Sequence, residues 1–220
     1  MPATSYLGSD GFEHQVSPAS PLPVNIGSAT LSVTADGVEI KNDTGNPVPV
    51  SDGASSLTVD GKAYRAAVTI TRPSNTTAYT AGDVVGDTGG SAILTLSNIG
   101  PSGGYVLIQS VSLVFSDSSV PSGMSGFRLH LYQTSPTAIA DNAVFDLASG
   151  ERATYMGFVD IPSPADFGSS LYTQVDYVGR LVKLASASTT LYAELETRGA
   201  YTPVSASTVD VRVATLEASL

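Results

Sequence analysis

The chain has 220 residues, only 14% of them charged, and its formal net charge is −10. Because a negative body repels phosphate backbones, this charge argues against nucleic-acid binding. The chain contains no cysteine, which excludes disulfides and thiolate metal sites.

The opening residues predict an extended N-terminal arm over residues 1–27. Residues 1–23 contain four prolines with scattered glycine and serine, and they show neither a strand nor a helix period. They also lack the basic and apolar regions of a secretory signal, and no apolar run approaches the roughly 20 residues of a membrane span. We therefore expect the chain to remain in the cytoplasm or to join something assembled there.

Residues 28–62 predict a small β-rich attachment unit. Asp36 and Gly37 lie between two short apolar stretches, which is a strong hairpin signal. The unit is too short to bury much apolar surface, so we expect it to be an attachment to a larger body rather than an enzyme domain.

Residues 63–220 predict the main body, an antiparallel two-sheet β-sandwich. Short apolar or alternating stretches separated by turn residues predict nine strands: Tyr64–Thr71, Ala78–Val85, Ala92–Ser97, Gly104–Ser116, Phe127–Tyr132, Arg152–Val159, Leu171–Leu184, Thr190–Glu196 and Thr208–Leu216. No stretch has a clear helical period. The long links after residues 115 and 132 favour a jelly roll, in which the chain crosses between sheets. The predicted fold class is therefore all-β and jelly-roll-like.

Alternation predicts which strand faces enter the core. In Phe127–Tyr132 the apolar residues share one face, and the other face is predicted to be wet, with Arg128, His130 and Tyr132 on it. In Thr190–Glu196 the predicted wet face carries Tyr192, Glu194 and Glu196. In Gly104–Ser116 one parity is shared by Leu107, Val111, Leu113 and Phe115. The run Asn142–Leu147 is predicted to cap one end of the sandwich, and Phe158–Gly168 to be a loop.

The residue types give little support for a catalytic site. A Ser/His/Asp site needs a histidine beside a nucleophile, and the two histidines are His14 in the arm and His130 on the predicted outer face. We expect His130 to be a surface or interface residue. No glycine-flanked nucleophile elbow is present, and two distant histidines make a catalytic zinc site improbable.

Paired carboxylates are the remaining chemical hypothesis, because two of them can form a glycosidase site. The pairs are Asp83 with Asp87, Asp141 with Asp146, and Glu194 with Glu196. For the last pair we expect a solvated strand face. Calcium is conceivable at Asp83–Asp87 or Asp43–Asp52, although neither fits a twelve-residue calcium loop. We predict no catalytic, cofactor-binding or metal residues, and no enzyme activity.

Several segments between residues 63 and 216 resemble tailed-bacteriophage virion proteins, and among these the chain is most similar to jelly-roll capsid cement, or head-decoration, proteins. The segments that carry the resemblance are Val68–Gly86, Pro121–Tyr132, Ile139–Asn142, Phe145–Leu147, Tyr155–Gly157 and Gly199–Pro203. No catalytic residue comes with it.

The resemblance implies a non-enzymatic virion structural protein that binds the outside of the major capsid shell and stabilises it. Its partners would be the major capsid protein and copies of itself, as a dimer or trimer, and its location the capsid exterior after assembly in the host bacterial cytoplasm. An arm that binds only the assembled shell stabilises it by mass action. The alternative is a tail or head-fibre module that binds host-surface glycan, and a third hypothesis is a glycosidase using Glu194 or Glu196.

Overall fold

The computed structural model describes residues 5–7, 11–15, 62–90 and 92–218. The chain divides into two compact units, residues 1–53 and 54–220. In the first unit, β1 (Ser5–Leu7) pairs antiparallel with β2 (Glu13–Gln15), so the chain reverses within the predicted arm. The sequence does not predict this pairing. The hairpin predicted around Asp36 lies outside the described residues.

The second unit contains ten strands in its described part. They are β3 (Ala63–Thr71), β4 (Val84–Val85), β5 (Leu94–Leu96), β6 (Tyr105–Phe115), β7 (Phe127–Tyr132), β8 (Tyr155–Ile161), β9 (Ala165–Asp166), β10 (Leu171–Lys183), β11 (Leu191–Thr197) and β12 (Thr208–Ala218). Among the described residues, the sole helical element is a 3-10 turn at Ser149–Glu151.

The strands form two antiparallel sheets in jelly-roll order. The first sheet runs β3-β12-β6-β10-β9, and the second runs β4-β11-β7-β8, with β5 also paired to β11. The chain crosses between the sheets from β3 to β4, β5 to β6, β6 to β7, β8 to β9, β10 to β11 and β11 to β12, whereas β7 and β8 are neighbours in the second sheet. This order confirms the predicted fold class, an antiparallel two-sheet sandwich of the jelly-roll type.

The core lies between the two sheets and follows the alternation of the longer strands. On β12 the valines at 209, 211 and 213 are buried, and on β11 so are Leu191, Ala193 and Leu195, as predicted. The rings of Phe115 and Phe127 meet across the core with centroids 5.2 Å apart. Burial of alternate apolar side chains from both sheets is what holds this sandwich together.

The predicted parity of β6 is wrong at one residue. Leu107 was expected to share a face with Val111, Leu113 and Phe115, but Val106 and Ile108 are buried and Leu107 is only half-buried. The cause is a bulge: β12 pairs Ala214 with Ser110 and Thr215 with Ile108, so Gln109 is skipped. An extra residue in one strand reverses the facing of every residue beyond it.

Two further boundaries differ from the prediction. Within Ala78–Val85 only Val84 and Val85 form a strand, because Thr80–Asp83 makes a turn in which the Asp83 carboxylate accepts hydrogen bonds from the Thr80 backbone and hydroxyl. The predicted loop Phe158–Gly168 begins inside β8 and contains β9. Pairing of β8 with β7 extends to Ile161, just before the prolines that end it.

Candidate functional site

The outer face of the second sheet is buried, which contradicts the predicted wet face. His130 is 3% exposed, Glu194 1% and Glu196 4%, and Tyr132 is fully buried. The link between β7 and β8 lies against this face. Phe145 in that link stacks its ring on the His130 imidazole, with centroids 3.6 Å apart. The backbone NH of Phe145 donates to the Gly82 carbonyl. The link therefore covers a sheet face rather than capping an end of the sandwich.

His130 is the centre of a closed polar network. Its Nε2 lies 2.7 Å from the Glu196 carboxylate, and its Nδ1 lies 2.8 Å from the Tyr155 hydroxyl. The other oxygen of Glu196 accepts a hydrogen bond of 2.7 Å from Arg198. Because an ionised carboxylate only accepts, Nε2 donates to Glu196 and Nδ1 accepts from Tyr155 in the neutral imidazole. Burial lowers the pKa of His130, an effect that the Glu196 hydrogen bond opposes.

This network has no nucleophile to activate. Among the described residues, the side chain that meets Nδ1 is Tyr155, and burial raises the pKa of its hydroxyl. A phenol with a raised pKa is a poorer nucleophile and a poorer acid at neutral pH. The arrangement orients and satisfies buried groups, so His130 is an internal structural residue and not the predicted surface or interface residue.

Glu194 is a carboxylate on this face that remains incompletely paired within the described part of the chain. The Tyr132 hydroxyl donates to its Oε2 at 3.1 Å, while Oε1 is buried without a hydrogen-bond partner among the described residues. Burial raises the pKa of Glu194, opposed by the Tyr132 hydroxyl and the Ile139 backbone. A glycosidase pair needs two carboxyl groups open to a sugar, and neither Glu194 nor Glu196 is open.

A second buried network joins Arg72, Tyr79 and Asp141, which the sequence reasoning did not connect. The Arg72 Nε donates to the Tyr79 hydroxyl at 2.6 Å, and its Nη2 lies 3.2 Å from Asp141. The Tyr79 hydroxyl donates to Asp141 at 2.5 Å, and the Gly86 NH donates to the same oxygen at 2.9 Å. Burial is also the main reason that the pKa of Tyr79 is raised. No local pattern could reveal this network, since its partners lie 69 residues apart.

The other predicted carboxylate and histidine positions do not assemble into a site. Asp83 is buried and bonded to Thr80, Asp87 accepts from the Thr88 hydroxyl, and Asp146 is exposed. Within residues 62–90 and 92–218 and the short described N-terminal stretches, no group of three histidine or acidic side chains could hold a metal. Asp43–Asp52 lies outside the described residues, and His14 lies in β2.

An open groove of about 590 Å³ separates β8 from β10, where the two sheets present facing edges. It is lined by Phe158–Asp160 on β8 and Val175–Leu181 on β10. Three of the exposed large apolar side chains of the second unit lie here, namely Phe158, Tyr177 and Leu181, and Tyr177 is 92% exposed. Pairing of β10 with β6 is interrupted between Asp176 and Arg180, and the Tyr177 side chain within this interruption points into solvent. The groove therefore places three large apolar side chains at the described sandwich surface, within a lining that is otherwise largely polar.

No helix in the described residues is long and apolar enough to cross a membrane. No family model matches the chain, and no curated protein matches it.

Three solved virus structures contain similar chains, each covering most of both sequences. The chain is 12% identical to one in the cryo-EM structure of Mud Crab Dicistrovirus, over 97% of this chain and 93% of that one, with a TM-score of 0.31. For Israeli acute paralysis virus, heated to 63 degrees, the identity is 14%, the coverage 90% and 94%, and the TM-score 0.24. For the native virion of Kashmir bee virus at neutral pH, the identity is 11%, the match covers 99% of this chain and 90% of that one, and the TM-score is 0.26. At these TM-scores the similarity supports no assignment of function.

Proposed function

We propose that this chain is a non-enzymatic virion structural protein, and more specifically a cement protein that binds the outside of a capsid shell and stabilises it. The observation that carries the proposal is the contrast between the interior and the surface of the sandwich. The buried His130 and Arg72 networks are bonded internally, whereas the groove between β8 and β10 presents Phe158, Tyr177 and Leu181 to solvent. Clustered exposed apolar side chains favour a contact surface over a reaction site.

The fold is compatible with this role but does not establish it. Jelly rolls occur in viral capsid domains, in lectin domains and in cupins, so the strand order alone leaves the function open. The sequence resemblance to phage head-decoration proteins selects the first of these. In this proposal the partners are the major capsid protein and further copies of the chain, on the capsid exterior, and the regions before residue 63 serve as arm and attachment unit.

The proposal is tested by co-sedimentation with purified shells of the virus that encodes the chain. The full chain is expected to sediment with shells, and deletion of residues 1–27 is expected to abolish binding while the sandwich stays folded, because the arm binds only the assembled state. Undiminished binding of the truncated chain would contradict the role of the arm.

A second comparison tests the groove. The double variant Tyr177→Ser with Leu181→Ser removes exposed apolar area without touching the core, so its stability should be unchanged and its binding to shells weaker. Val204→Ser is the matched control, since Val204 is also exposed and lies outside the groove. Equal binding by the parent chain, the double variant and the control would show that the groove does not contact the shell. Failure of the full parent chain to bind shells would contradict the proposed function itself.

A further inference from the structure

The outer face of the first sheet carries a shallow polar trough whose lining is ordered by strand register. Three cross-strand rows run over β3, β12, β6 and β10: Arg65 to Ala214, Ser110 and Asp176; Ala67 to Arg212, Ser112 and Gln174; and Thr69 to Asp210, Val114 and Tyr172. With neighbouring strands about 4.8 Å apart, the four strands give a face about 14 Å wide. These side chains point away from the core, because they alternate along their strands with buried residues such as Ala66, Leu113, Val211 and Thr173.

Side-chain length makes this face concave. Short side chains occupy the centre, at Ser110, Ser112 and Ala214, and they form the floor of a depression of about 280 Å³. Taller side chains stand on both sides, with Arg65 and Arg212 on one and Tyr172 and Gln174 on the other. The volume is close to the lower end of the range for small-molecule sites, which begins near roughly 300 Å³.

The two walls differ in charge. Arg65 is exposed, and its guanidinium has no hydrogen-bond or ion-pair partner in the described part of the chain. Arg212 donates to Asp210 at 3.0 Å. Asp210 is fully engaged, because the Thr69 hydroxyl also donates to it at 2.6 Å, and these bonds lower its pKa. One wall therefore offers guanidinium N–H donors, and those of Arg65 have no partner among the described residues.

The opposite wall offers aligned polar groups and an aromatic edge. The Tyr172 hydroxyl donates to the Gln174 side-chain oxygen, and the Gln174 amide donates to Asp176, so a chain of hydrogen bonds holds Gln174 in one orientation. The Phe167 ring meets Tyr172 edge-on with centroids 6.0 Å apart and is largely exposed. On the floor, the hydroxyls of Ser110 and Ser112 have no partner among the described residues.

We propose that this trough binds a carboxylated saccharide. A guanidinium pairs well with a carboxylate, through two parallel hydrogen bonds. The serine hydroxyls and the oriented Gln174 amide suit the hydroxyl groups of a sugar ring, and the Tyr172 ring provides the apolar contact that a sugar face needs. The net charge of −10 disfavours a polyphosphate or nucleic acid, whose many charges would meet the whole negative body.

The proposal is independent of the shell-binding role, because the trough lies on the outer face of the first sheet and the groove lies between β8 and β10. In the trough, Arg65 supplies the recognition of the ligand's charge.

The test uses saturation-transfer and amide chemical-shift NMR on the full chain. Glucuronate and sialyllactose are expected to bind weakly and to shift the amides of Ser110, Ser112 and Ala214, while glucose and lactose at the same concentration give no shift. Arg65→Ala is expected to weaken binding about tenfold, since a hydrogen bond to a charged group is commonly worth a factor of this size or more. Ser112→Phe, which fills the floor on an exposed face, is expected to abolish binding.

The matched control is Arg152→Ala, which removes the same charge from an exposed position with no described ion pair and should bind as the parent chain does. Equal weakening by both arginine variants would show a general charge effect and overturn the site. Equal binding of charged and neutral sugars would overturn the role of the carboxylate. Inorganic phosphate that binds as well as glucuronate and shifts the same amides would reduce the trough to a simple anion site.

Discussion

Two arginine side chains show how this sandwich, which has no disulfides, accommodates a buried charge. Arg72 is 1% exposed, and its guanidinium donates hydrogen bonds to oxygen atoms of Tyr79, Asp141 and Val204. Arg128 makes the same kind of ion pair with Asp160, at 2.7 Å, but at the surface, where Asp160 is 60% exposed. A buried charge that loses its partner is far more costly than an exposed one, so these two arginines allow a direct comparison.

Arg72→Met is expected to destabilise the fold by about 3–5 kcal/mol, because it leaves the Asp141 carboxylate, 10% exposed, without its cation. Arg128→Met, the matched surface variant, is expected to cost about 1 kcal/mol or less. Urea unfolding of both variants measures the difference. Similar losses in the two proteins would contradict the structural importance of the Arg72 network.

The raised pKa of Glu194 makes stability depend on pH in a definite direction. A carboxyl group whose pKa is raised by folding contributes most below its unfolded pKa, and this contribution is lost as the pH rises through the folded pKa. Unfolding free energies measured at a series of pH values should therefore fall by an additional amount in the parent chain compared with Glu194→Gln, from about pH 4.5 upwards. The other ionisable groups are the same in both proteins, so the difference between the two curves reports on Glu194. Parallel pH curves would show that Glu194 titrates as in the unfolded chain.

Among the elements, the link between β7 and β8 and the bulges have the largest consequences. The link converts the outward face of β7 and β11 into a second buried layer through Phe145 and the backbone of Ile139. In β8, the pairing with β7 shifts between Leu131 and Tyr132, and Gly157 at this shift has a φ of +91°. The cover over β7 and β11 and the register shift in β8 both depend on contacts between residues far apart in the sequence. Each of them can be tested by a single substitution.

Phe145→Ala is expected to expose His130 and so raise its pKa towards the ordinary value near 6.5, because burial is the main cause of its lowered pKa. The ring-proton signals of the two histidines, followed by NMR over pH, report this directly. Val144→Ala is the control, since Val144 is exposed and adjacent but does not cover the imidazole. An unchanged His130 pKa in Phe145→Ala would mean that other groups shield the imidazole from solvent.

Gly157→Ala is expected to destabilise the fold by about 1–3 kcal/mol, because a side chain is strained at positive φ. The added carbon would also meet the Arg180 guanidinium at 2.5 Å, and this guanidinium holds the Met156 carbonyl. Gly150→Ala, where an added carbon meets nothing within 4 Å, should change stability by less than about 0.5 kcal/mol. Thermal unfolding of the two variants distinguishes these outcomes.

For the molecule as a whole, the core cluster formed by the described residues runs from Ala66 to Val213, all within the second compact unit. A core formed entirely within one unit is a condition for independent folding. Residues 54–220 expressed alone are therefore expected to unfold cooperatively, with the tyrosine near-ultraviolet circular dichroism of the buried Tyr79, Tyr132 and Tyr201 retained. Loss of that signal, or a non-cooperative transition, would show that the preceding residues are required.

Local pattern was enough to predict the fold class and most of the long strands. The period of two in β11 and β12 follows from the backbone geometry of any strand, so Leu195 and Val211 could be assigned to a core without knowing their partners. Turn residues bound the strands, and the long link before β7 crosses between the sheets as predicted, whereas the long link after β7 returns to the same sheet. Each of these signals depends on residues close together in the sequence.

The status of His130, Glu194 and Glu196 could not be obtained in this way. Alternation divides a strand into two faces, but it cannot say whether the second face meets water or another segment of the chain. Here the distant link carrying Phe145 covers that face, and the Arg72 network likewise joins residues that only folding brings together. Burial is a property of the assembled fold, because the dielectric and the hydrogen-bond partners around a side chain come from segments that no local pattern specifies.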